Sequence, residues 1–282
     1  MTKKKKTILD FQEMKRNGIP FSSTVVYDSL WASYVDQTDI DLILCGDSVG
    51  MVVYGYESTI PVTMEQMIAH SKAVRHGAPN TFVMGDMPFG SYQESVPEAV
   101  RNAVRMIKET GVDAVKLEGG RAVVPQIKAI SEAGIVVISH IGLTPQSVGV
   151  LGGFKTQSRT ADAARELIKD AIAVEEAGAK AVMVESVPAE VMKFITEKLS
   201  VPVFGSGVPC DGQGLNFADM CGMFQEFTPK FVKKYLSLAD QVVNAFQTFD
   251  AEVKNRQYPS DEHAYHIKDD ISEFEKIFKE FE

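Results

Sequence analysis

Short apolar runs recur along the chain and alternate with longer segments whose apolar residues follow helical spacing. Most of these runs are apolar throughout instead of alternating with polar residues, which is typical of parallel strands covered by helices. Eight such strands are predicted, at residues 23–27, 42–45, 82–85, 114–117, 136–139, 181–184, 201–204 and 214–217. The pattern therefore predicts a series of strand–helix units.

Helices are predicted between the strands by apolar spacing and by the glycines that follow. In the segment "PEAVRNAVRMIKETG", Val100, Val104 and Ile107 follow helical spacing, and Gly111 stands where a C-terminal glycine belongs. Other helices are expected to end in the same way at Gly77, Gly134 and Gly178. The segments "ETGVDAVKLE" and "EAGAKAVMVE" repeat one order of helix end, glycine, apolar strand and glutamate. This repetition supports a strand–helix building block.

Eight such units in 282 residues predict an α/β fold, a (β/α)₈ TIM barrel, in preference to a doubly wound sheet. No GxGxxG motif follows the first strand, which further weakens a nucleotide-binding sheet. An N-terminal segment of residues 1–20, with a helix at 9–16, precedes the barrel. Residues 228–282 predict a helical extension that packs on the barrel or on another subunit. Residues 1–282 are expected to form a single domain.

Composition and charge exclude several classes of protein. With 45% hydrophobic and 24% charged residues, the chain is typical of a globular protein with a large core. The formal charge of -9 argues against a nucleic-acid surface, and the basic run at residues 3–6 is expected to be a solvated tail. No segment predicts a membrane span or a signal peptide, so we expect a cytoplasmic protein. Cys45, Cys210 and Cys221 form no CxxC pair, which predicts reduced thiols.

Ionisable side chains follow several of the predicted strands. Barrel enzymes place their chemistry at the C-terminal strand ends, so these side chains are expected to line one mouth. They are Asp47 with the polar Ser48 after the second strand, Asp86 after the third, Lys116 and Glu118 at the fourth, His140 at the fifth and Glu185 at the sixth. Each alone could be a turn, cap or core residue. Together they favour a bound cation, because each carboxylate buried without a compensating charge costs several kcal/mol.

The types of residue at these positions indicate Mg²⁺ and proton abstraction. Two aspartates, completed by waters and a chelating substrate, suit Mg²⁺, whereas the lack of a Cys or His cluster disfavours zinc. Asp47 and Asp86 are the candidate ligands. Lys116 could bind a substrate carboxylate, and Glu185 could act as a general base. The predicted chemistry is removal of a proton beside a carbonyl.

Longer motifs carry a resemblance to a known family. The segments "CGDSVGMVVYGYESTIPVTMEQMIAHSKAVRHGAPN", "GDMPFGSY", "DAVKLEGG", "SHIGLTPQSV", "LGGFKTQSR" and "VESVPAEV" closely resemble motifs of the ketopantoate hydroxymethyltransferases. The likeness continues through "CDGQ" and "FVKKY" to "EVKNRQYPSDEHAY" and covers roughly residues 22–266. So many long motifs in order make the resemblance specific, which a lone "GDS" would not.

The resemblance implies a barrel of the phosphoenolpyruvate mutase and isocitrate lyase type. It implies a Mg²⁺-dependent transfer of a hydroxymethyl group from 5,10-methylenetetrahydrofolate to 3-methyl-2-oxobutanoate, giving 2-dehydropantoate for pantothenate biosynthesis. Carried over by position, it implies a metal site formed by Asp47 and Asp86, with Glu118 near the metal and its waters. It implies a general base at Glu185. The residues that it implies for substrate binding are Asp47, Ser48, Asp86, Lys116 and His140. It also implies a homo-oligomer, commonly a decamer, and leaves the folate contacts unassigned.

The chain departs from the family pattern in three places. The segment "FGSGVPCDGQ" stands where the family usually has "GIGAG", a short insert and "CDGQ", so the loop at residues 205–209 is shorter. Ser139 and Ser186 replace a usual Gly and Cys. The altered loop keeps one alternative open, a paralogous Mg²⁺-dependent aldolase or lyase acting on another 2-oxo acid. A second alternative is a non-catalytic ring-forming barrel, against which the intact charges speak.

Overall fold

Eight parallel strands close into a barrel within residues 3–225 and 227–282, the part of the chain that the computed structural model describes. Each strand pairs with the next, and the last pairs with the first. The strands are β1 (Phe21–Val25), β2 (Leu42–Cys45), β3 (Phe82–Asp86), β4 (Ala114–Glu118), β5 (Val137–Gly142), β6 (Ala181–Glu185), β7 (Val203–Gly205) and β8 (Gly212–Asn216). The predicted barrel is confirmed, and the predicted strand ends differ from these by at most three residues.

Helices connect the strands and cover the barrel. They are α1 (Ile8–Arg16), α2 (Ser29–Asp36), α3 (Val49–Val52), α4 (Met64–Gly77), α5 (Val96–Thr110), α6 (Val124–Glu132), α7 (Val148–Leu151), α8 (Ala161–Glu176), α9 (Ala189–Lys198) and α10 (Phe217–Met220), with 3₁₀ turns at Arg121–Val123 and Pro145–Ser147. Ser95 caps α5 by accepting a hydrogen bond from the Glu98 N–H. The face of α5 that contacts the barrel is buried through Ala99, Ala103 and Met106. This amphipathic pattern explains why the segment folds as a covering helix.

All four glycines expected at helix ends lie there, but Gly77 differs from the other three in conformation. Gly111, Gly134 and Gly178 adopt φ angles of 75°, 86° and 107°, in the left-handed region. Gly77 is itself the last residue of α4, and a Cβ atom there would lie 2.2 Å from the carbonyl oxygen of Ser29. The helix therefore ends at Gly77 as predicted, but Gly77 does not adopt the left-handed conformation and instead permits close packing of α4 against α2.

The N-terminal helix closes the end of the barrel at which the strands begin. Phe11 of α1 is 1% exposed and packs edge-on against Phe21 and Phe82, with ring centroids 5.0 and 5.3 Å away. These two partners are the first residues of β1 and β3. Aromatic pairs in this geometry add to the free energy of burial. The predicted N-terminal segment is thus part of the barrel core, and its residues 1 and 2 lie outside the described residues.

The basic run near the N-terminus is not a free tail. Lys6 pairs with Asp41 at 2.8 Å, and Lys5 pairs with Asp113. The two aspartates immediately precede β2 and β4, so their carboxylates lie where these strands begin. The expectation of a solvated tail was wrong, because carboxylates at the strand starts provide partners that charge patterning alone does not reveal.

The chain divides into two compact units, Met1–Tyr235 and Leu236–Glu282. The second contains α11 (Leu238–Lys254), a 3₁₀ turn at Asp261–His263 and α12 (Ile271–Lys279). The single domain expected for residues 1–282 stays a prediction. In the ranges 3–225 and 227–282, no helix has both the length and the apolar character needed to cross a membrane.

Candidate active site

A cavity of about 220 Å³ lies at the C-terminal end of the barrel strands. All seven residues predicted from the sequence line it: Asp47, Ser48, Asp86, Lys116, Glu118, His140 and Glu185. The rest of the wall includes the apolar side chains of Leu44, Met84, Met183 and Phe204. The structure therefore brings the predicted polar residues together in a partly apolar pocket, the usual character of a small-molecule site.

The register of the strands explains why these side chains meet. Asp86 is the last residue of β3 and pairs with Lys116 of β4. Glu118 pairs with His140 of β5, and Glu185 ends β6. Because side chains two residues apart on a strand share one face, Lys116 and Glu118 both point into the barrel. The parallel ladder thus sets four neighbouring strand ends side by side.

Lys116 forms the centre of the charge cluster. Its Nζ lies 2.7 Å from Asp86 Oδ2 and 3.1 Å from Glu118 Oε1, and all three side chains are buried. Burial lowers the pKa of Lys116, but the charges of Asp86, Glu118 and Asp47 outweigh burial and raise it well above the usual range. The three carboxylates thus favour the ammonium form of Lys116, which uses two of its three N–H donors within the cluster.

Asp47 contacts Asp86, and one carboxylate oxygen of Asp86 receives no hydrogen bond from the described residues. The Asp47 N–H donates to Asp86 Oδ2 over 3.1 Å. Burial and the neighbouring Asp86 charge raise the pKa of Asp47 well above its usual range, and burial also raises the pKa of Asp86 despite Lys116. Asp86 Oδ1 is buried, and no donor in the described part of the chain reaches it. The pair therefore has unused capacity to bind a cation or a donor.

Glu118 and His140 connect the cluster to Glu185. Burial raises the pKa of Glu118, but Lys116 and His140 outweigh burial and lower it to about 2. His140 Nδ1 lies 3.1 Å from Glu118 Oε1, and its Nε2 lies 3.1 Å from Glu185 Oε2 without the alignment of a hydrogen bond. Burial and the Lys116 charge lower the pKa of His140, whereas the two glutamates raise it to about 9. The ring is thus an imidazolium at neutral pH, held between two carboxylates.

Two buried residues that the sequence reasoning missed hold this cluster in place. Gln146 Nε2 donates to Asp47 Oδ2 at 2.8 Å, and the Gln146 N–H donates to Glu118 Oε2 at 2.9 Å. The Tyr92 hydroxyl donates to Gln146 Oε1 at 2.6 Å and accepts from the Glu118 N–H at 3.1 Å. Both residues stand inside quoted motifs, "GDMPFGSY" and "SHIGLTPQSV". Both residues were therefore present in the motifs, but the candidate residues were chosen at the ends of strands, whereas these two lie in loops.

The shortened loop borders the cavity directly. Gly205 and Ser206 line the cavity, and the Ser206 hydroxyl donates to the Gly214 carbonyl oxygen over 2.6 Å. The Gly207 N–H donates to Gln213 Oε1 at 3.1 Å. The loop is thus tied to β8 by its own hydrogen bonds.

Known proteins resemble this chain over nearly its whole length. The profile of a family described as Ketopantoate hydroxymethyltransferase matches residues 5–261. The 3-methyl-2-oxobutanoate hydroxymethyltransferase of Alkaliphilus metalliredigens (strain QYMF) is 57% identical over 279 residues, 99% of each chain. The protein of the same name from Clostridium novyi (strain NT) is 49% identical over 95% of this chain and 98% of its own.

Solved structures share the barrel at much lower sequence identity. A phosphoenolpyruvate phosphomutase from Streptomyces platensis subsp. rosaceus superposes with a TM-score of 0.60 at 16% identity, covering 98% of this chain and 97% of its own. A 2,3-dimethylmalate lyase, described as a PEP mutase/isocitrate lyase superfamily member, gives 0.57 at 15% identity, covering 92% and 91%. These likenesses confirm the predicted barrel fold. The family profile and the full-length relatives are more specific, and they show that the chain belongs to the ketopantoate hydroxymethyltransferase family.

Proposed function

We propose that this protein transfers a hydroxymethyl group from 5,10-methylenetetrahydrofolate to 3-methyl-2-oxobutanoate, giving 2-dehydropantoate for pantothenate biosynthesis. One observation carries the proposal: in a chain of this family, all seven predicted polar residues line a single cavity at the C-terminal end of the barrel. The chemistry requires a group that removes a proton, a site for a carboxylate and a compensating cation. The cavity offers residues suited to each.

The donor groups fit Mg²⁺. Five residues with carboxyl groups line the cavity, Asp47, Asp86, Glu118, Glu185 and Asp219, so they outnumber the two cations, Lys116 and the His140 imidazolium. In residues 3–225 and 227–282, no three His, Cys, Asp or Glu side chains are arranged as a metal site, so two aspartates with substrate oxygens and waters are the fitting ligand set. We assign Asp47 and Asp86 as ligands, with Glu118 near the waters. When bound, Mg²⁺ supplies Lewis-acid polarisation of the substrate carbonyl.

The substrate carboxylate is assigned to Lys116 and Ser48. Lys116 retains one N–H donor after its bonds to Asp86 and Glu118. Ser48 lines the same cavity. A charged donor and a neutral donor together suit a carboxylate. His140 lies beside this position, and the apolar wall suits a branched alkyl group.

Glu185 is assigned as the general base. Its carboxylate lies at the cavity edge, with His140 Nε2 3.1 Å from its Oε2. It takes the proton from the third carbon of the 2-oxo acid, and that carbon then forms the new bond to the one-carbon unit. The bonds from this unit to the folate nitrogens break, water supplies the hydroxyl oxygen, and tetrahydrofolate leaves. The imidazolium of His140 holds the carboxylate in position and stabilises its charge before the transfer.

Product analysis tests the proposal. Purified protein with Mg²⁺, 3-methyl-2-oxobutanoate and 5,10-methylenetetrahydrofolate should yield 2-dehydropantoate, detected by mass spectrometry, and omission of either substrate should abolish it. A panel of other 2-oxo acids with free aldehydes, without folate, tests the aldolase alternative. Product only in that panel would contradict the proposal, and product in neither would favour the non-catalytic alternative.

The remaining assignments are assembly and location. We propose a homo-oligomer, with the decamer that the family resemblance implies as the expected size. It would act in the cytoplasm, where folate-dependent biosynthesis supplies its co-substrate.

A further inference from the structure

Three side chains form a hydrogen-bonded chain that ends at Ser48. Asn216, the last residue of β8, approaches the hydroxyl of Tyr27 with its Nδ2 at 2.6 Å. The Tyr27 hydroxyl lies 2.8 Å from Ser48 Oγ. Tyr27 is 1% exposed, whereas Ser48 and Asn216 line the cavity. A buried hydroxyl therefore stands between two residues of the candidate active site.

The direction of the first hydrogen bond is set by the start of α10. Asn216 is the N-cap of that helix, and its Oδ1 accepts a hydrogen bond from the Ala218 N–H at 3.0 Å. Only the carbonyl oxygen of the amide can accept, so the NH₂ group must be the atom that faces Tyr27. Asn216 therefore donates, and the Tyr27 oxygen accepts.

The direction of the second hydrogen bond follows from the first. Tyr27 has one proton, and its two partners in the described part of the chain are Asn216 Nδ2, which cannot accept, and Ser48 Oγ, which can. If Ser48 donated to Tyr27 instead, the buried phenolic proton would have no acceptor, which is unfavourable. Tyr27 therefore donates to Ser48, and the proton of Ser48 is left for another acceptor.

The backbone of Tyr27 is also fixed. His70 Nδ1 of α4 lies 2.6 Å from the Tyr27 carbonyl oxygen, which can only accept. A ring anchored at its backbone by α4 and at its hydroxyl by β8 has little freedom to turn. The chain of hydrogen bonds is thus a fixed feature of the cavity wall.

We propose that Tyr27 and Asn216 are positioning residues that orient the Ser48 hydroxyl as a donor toward the carboxylate of the bound 2-oxo acid. The inference rests on the proposed function, which places that carboxylate at Ser48 and Lys116. With the opposite orientation, Ser48 would present lone pairs to a negatively charged group. The chain of hydrogen bonds prevents this orientation before substrate arrives, so binding requires no reorganisation of the hydroxyl.

Substrate affinity and steady-state kinetics test the proposal. Tyr27→Phe keeps the ring but removes the hydroxyl, so the Kd for 3-methyl-2-oxobutanoate, measured by calorimetry with Mg²⁺, and the KM should both rise by about three- to tenfold with kcat nearly unchanged. Asn216→Ser keeps a helix-capping oxygen but removes the amide donor, so it should have the same kind of effect. Tyr34→Phe, which removes an exposed hydroxyl on α2, is the matched control and should leave both quantities unchanged.

A double-mutant cycle separates orientation from a merely structural role. In a Ser48→Ala background, Tyr27→Phe should add no further loss of affinity, because the hydroxyl that it orients is gone. An equal loss in both backgrounds, or wild-type Kd and KM in both Tyr27→Phe and Asn216→Ser, would overturn the inference. If wild-type protein neither binds nor converts this 2-oxo acid, the proposed function fails instead. The two failures are therefore distinguishable.

Discussion

At the scale of single residues, the charges of the cavity depend on one another. Lys116 keeps the pKa of Glu118 low and offsets part of the repulsion between Asp47 and Asp86. His140 is protonated only because two glutamates outweigh its burial and the Lys116 charge. A change at any one of these residues alters the protonation of the others, so conservative substitutions are the informative ones.

The first prediction concerns the aspartates. Replacing Asp47 or Asp86 with Ala should abolish Mg²⁺-dependent turnover and leave the barrel folded, because each change removes a hard oxygen ligand at a cavity open to solvent. Turnover across a Mg²⁺ titration and circular dichroism provide the measurements. Asp162→Ala, at an exposed position on α8, is the matched control. Wild-type turnover by metal-stripped Asp86→Ala would remove this assignment.

The second prediction separates enolisation from transfer. Wild-type protein with Mg²⁺ and no folate should exchange the hydrogen on the third carbon of 3-methyl-2-oxobutanoate with deuterated water, followed by NMR. Glu185→Gln cannot accept that proton, so exchange should fall by about 10²- to 10⁴-fold while substrate and metal still bind. Lys116→Ala should instead mainly weaken substrate binding, since it removes a charged donor to the carboxylate. Exchange by Glu185→Gln at the wild-type rate would show that Glu185 is not the base.

The third prediction concerns the thiols. Burial raises the pKa of Cys45 to about 12 and that of Cys210 to about 11. Because the thiolate is the reactive form, both should react slowly with a thiol reagent at pH 8, and Cys45 should react only after unfolding. Mass spectrometry of native and denatured protein provides the measurement.

All three cysteines are free, so strong reductant should leave Tm nearly unchanged, and a large drop in Tm would contradict the prediction of reduced thiols.

The residues of the site divide into those that the sequence could reveal and those that it could not. Asp86, Glu118 and Glu185 were predictable because they end apolar strands, and all strand ends of a parallel barrel meet at one mouth. Tyr92 and Gln146 were not, since they reach the cluster from loops whose conformation depends on contacts distant in sequence. Periodicity describes strands and helices but not the path of a loop.

At the scale of elements, the first and last residues of helices and strands were harder to predict than their presence. The predicted helical extension begins at residue 228, but its first helix, α11, starts at Leu238. The backbone before α11 makes a hydrogen bond to a distant residue, because the Tyr235 N–H donates to the Met220 carbonyl oxygen over 2.7 Å. A backbone donor committed to a distant acceptor cannot also enter a helical ladder. Such long-range hydrogen bonds have no signature in apolar spacing.

The fourth prediction concerns α1 as a structural element. Phe11→Ala should lower the free energy of unfolding by about 3–5 kcal/mol, because it removes the ring that fills the N-terminal end of the barrel. Leu9→Ala, in the same helix but 67% exposed, should change it by less than about 0.5 kcal/mol. Urea unfolding followed by circular dichroism measures both. Equal effects of the two changes would show that α1 does not close the barrel.

At the scale of the whole molecule, the second unit has several apolar side chains that are exposed to solvent. Val242, Phe246, Phe249 and Val253 recur at helical spacing along α11 and are all exposed, and no residue of this helix is buried. Ile271 and Phe278 on α12 are exposed as well. Contiguous exposed apolar surface of this kind is typical of a protein interface. This surface supports the proposed homo-oligomer.

The fifth prediction tests that assembly. Wild-type protein should sediment as a homo-oligomer, with the decamer as the expected size, whereas Phe246→Glu should shift the distribution to smaller species, because it places a charge in an apolar contact. Phe246 is 69% exposed in the isolated chain, so the change should leave each subunit folded. Gln247→Glu adds the same charge one residue along α11 and serves as the control. Sedimentation velocity at several concentrations provides the measurement. A monomeric wild-type protein would contradict the proposed assembly, and an unchanged Phe246→Glu oligomer would exclude this face of α11 from the interface.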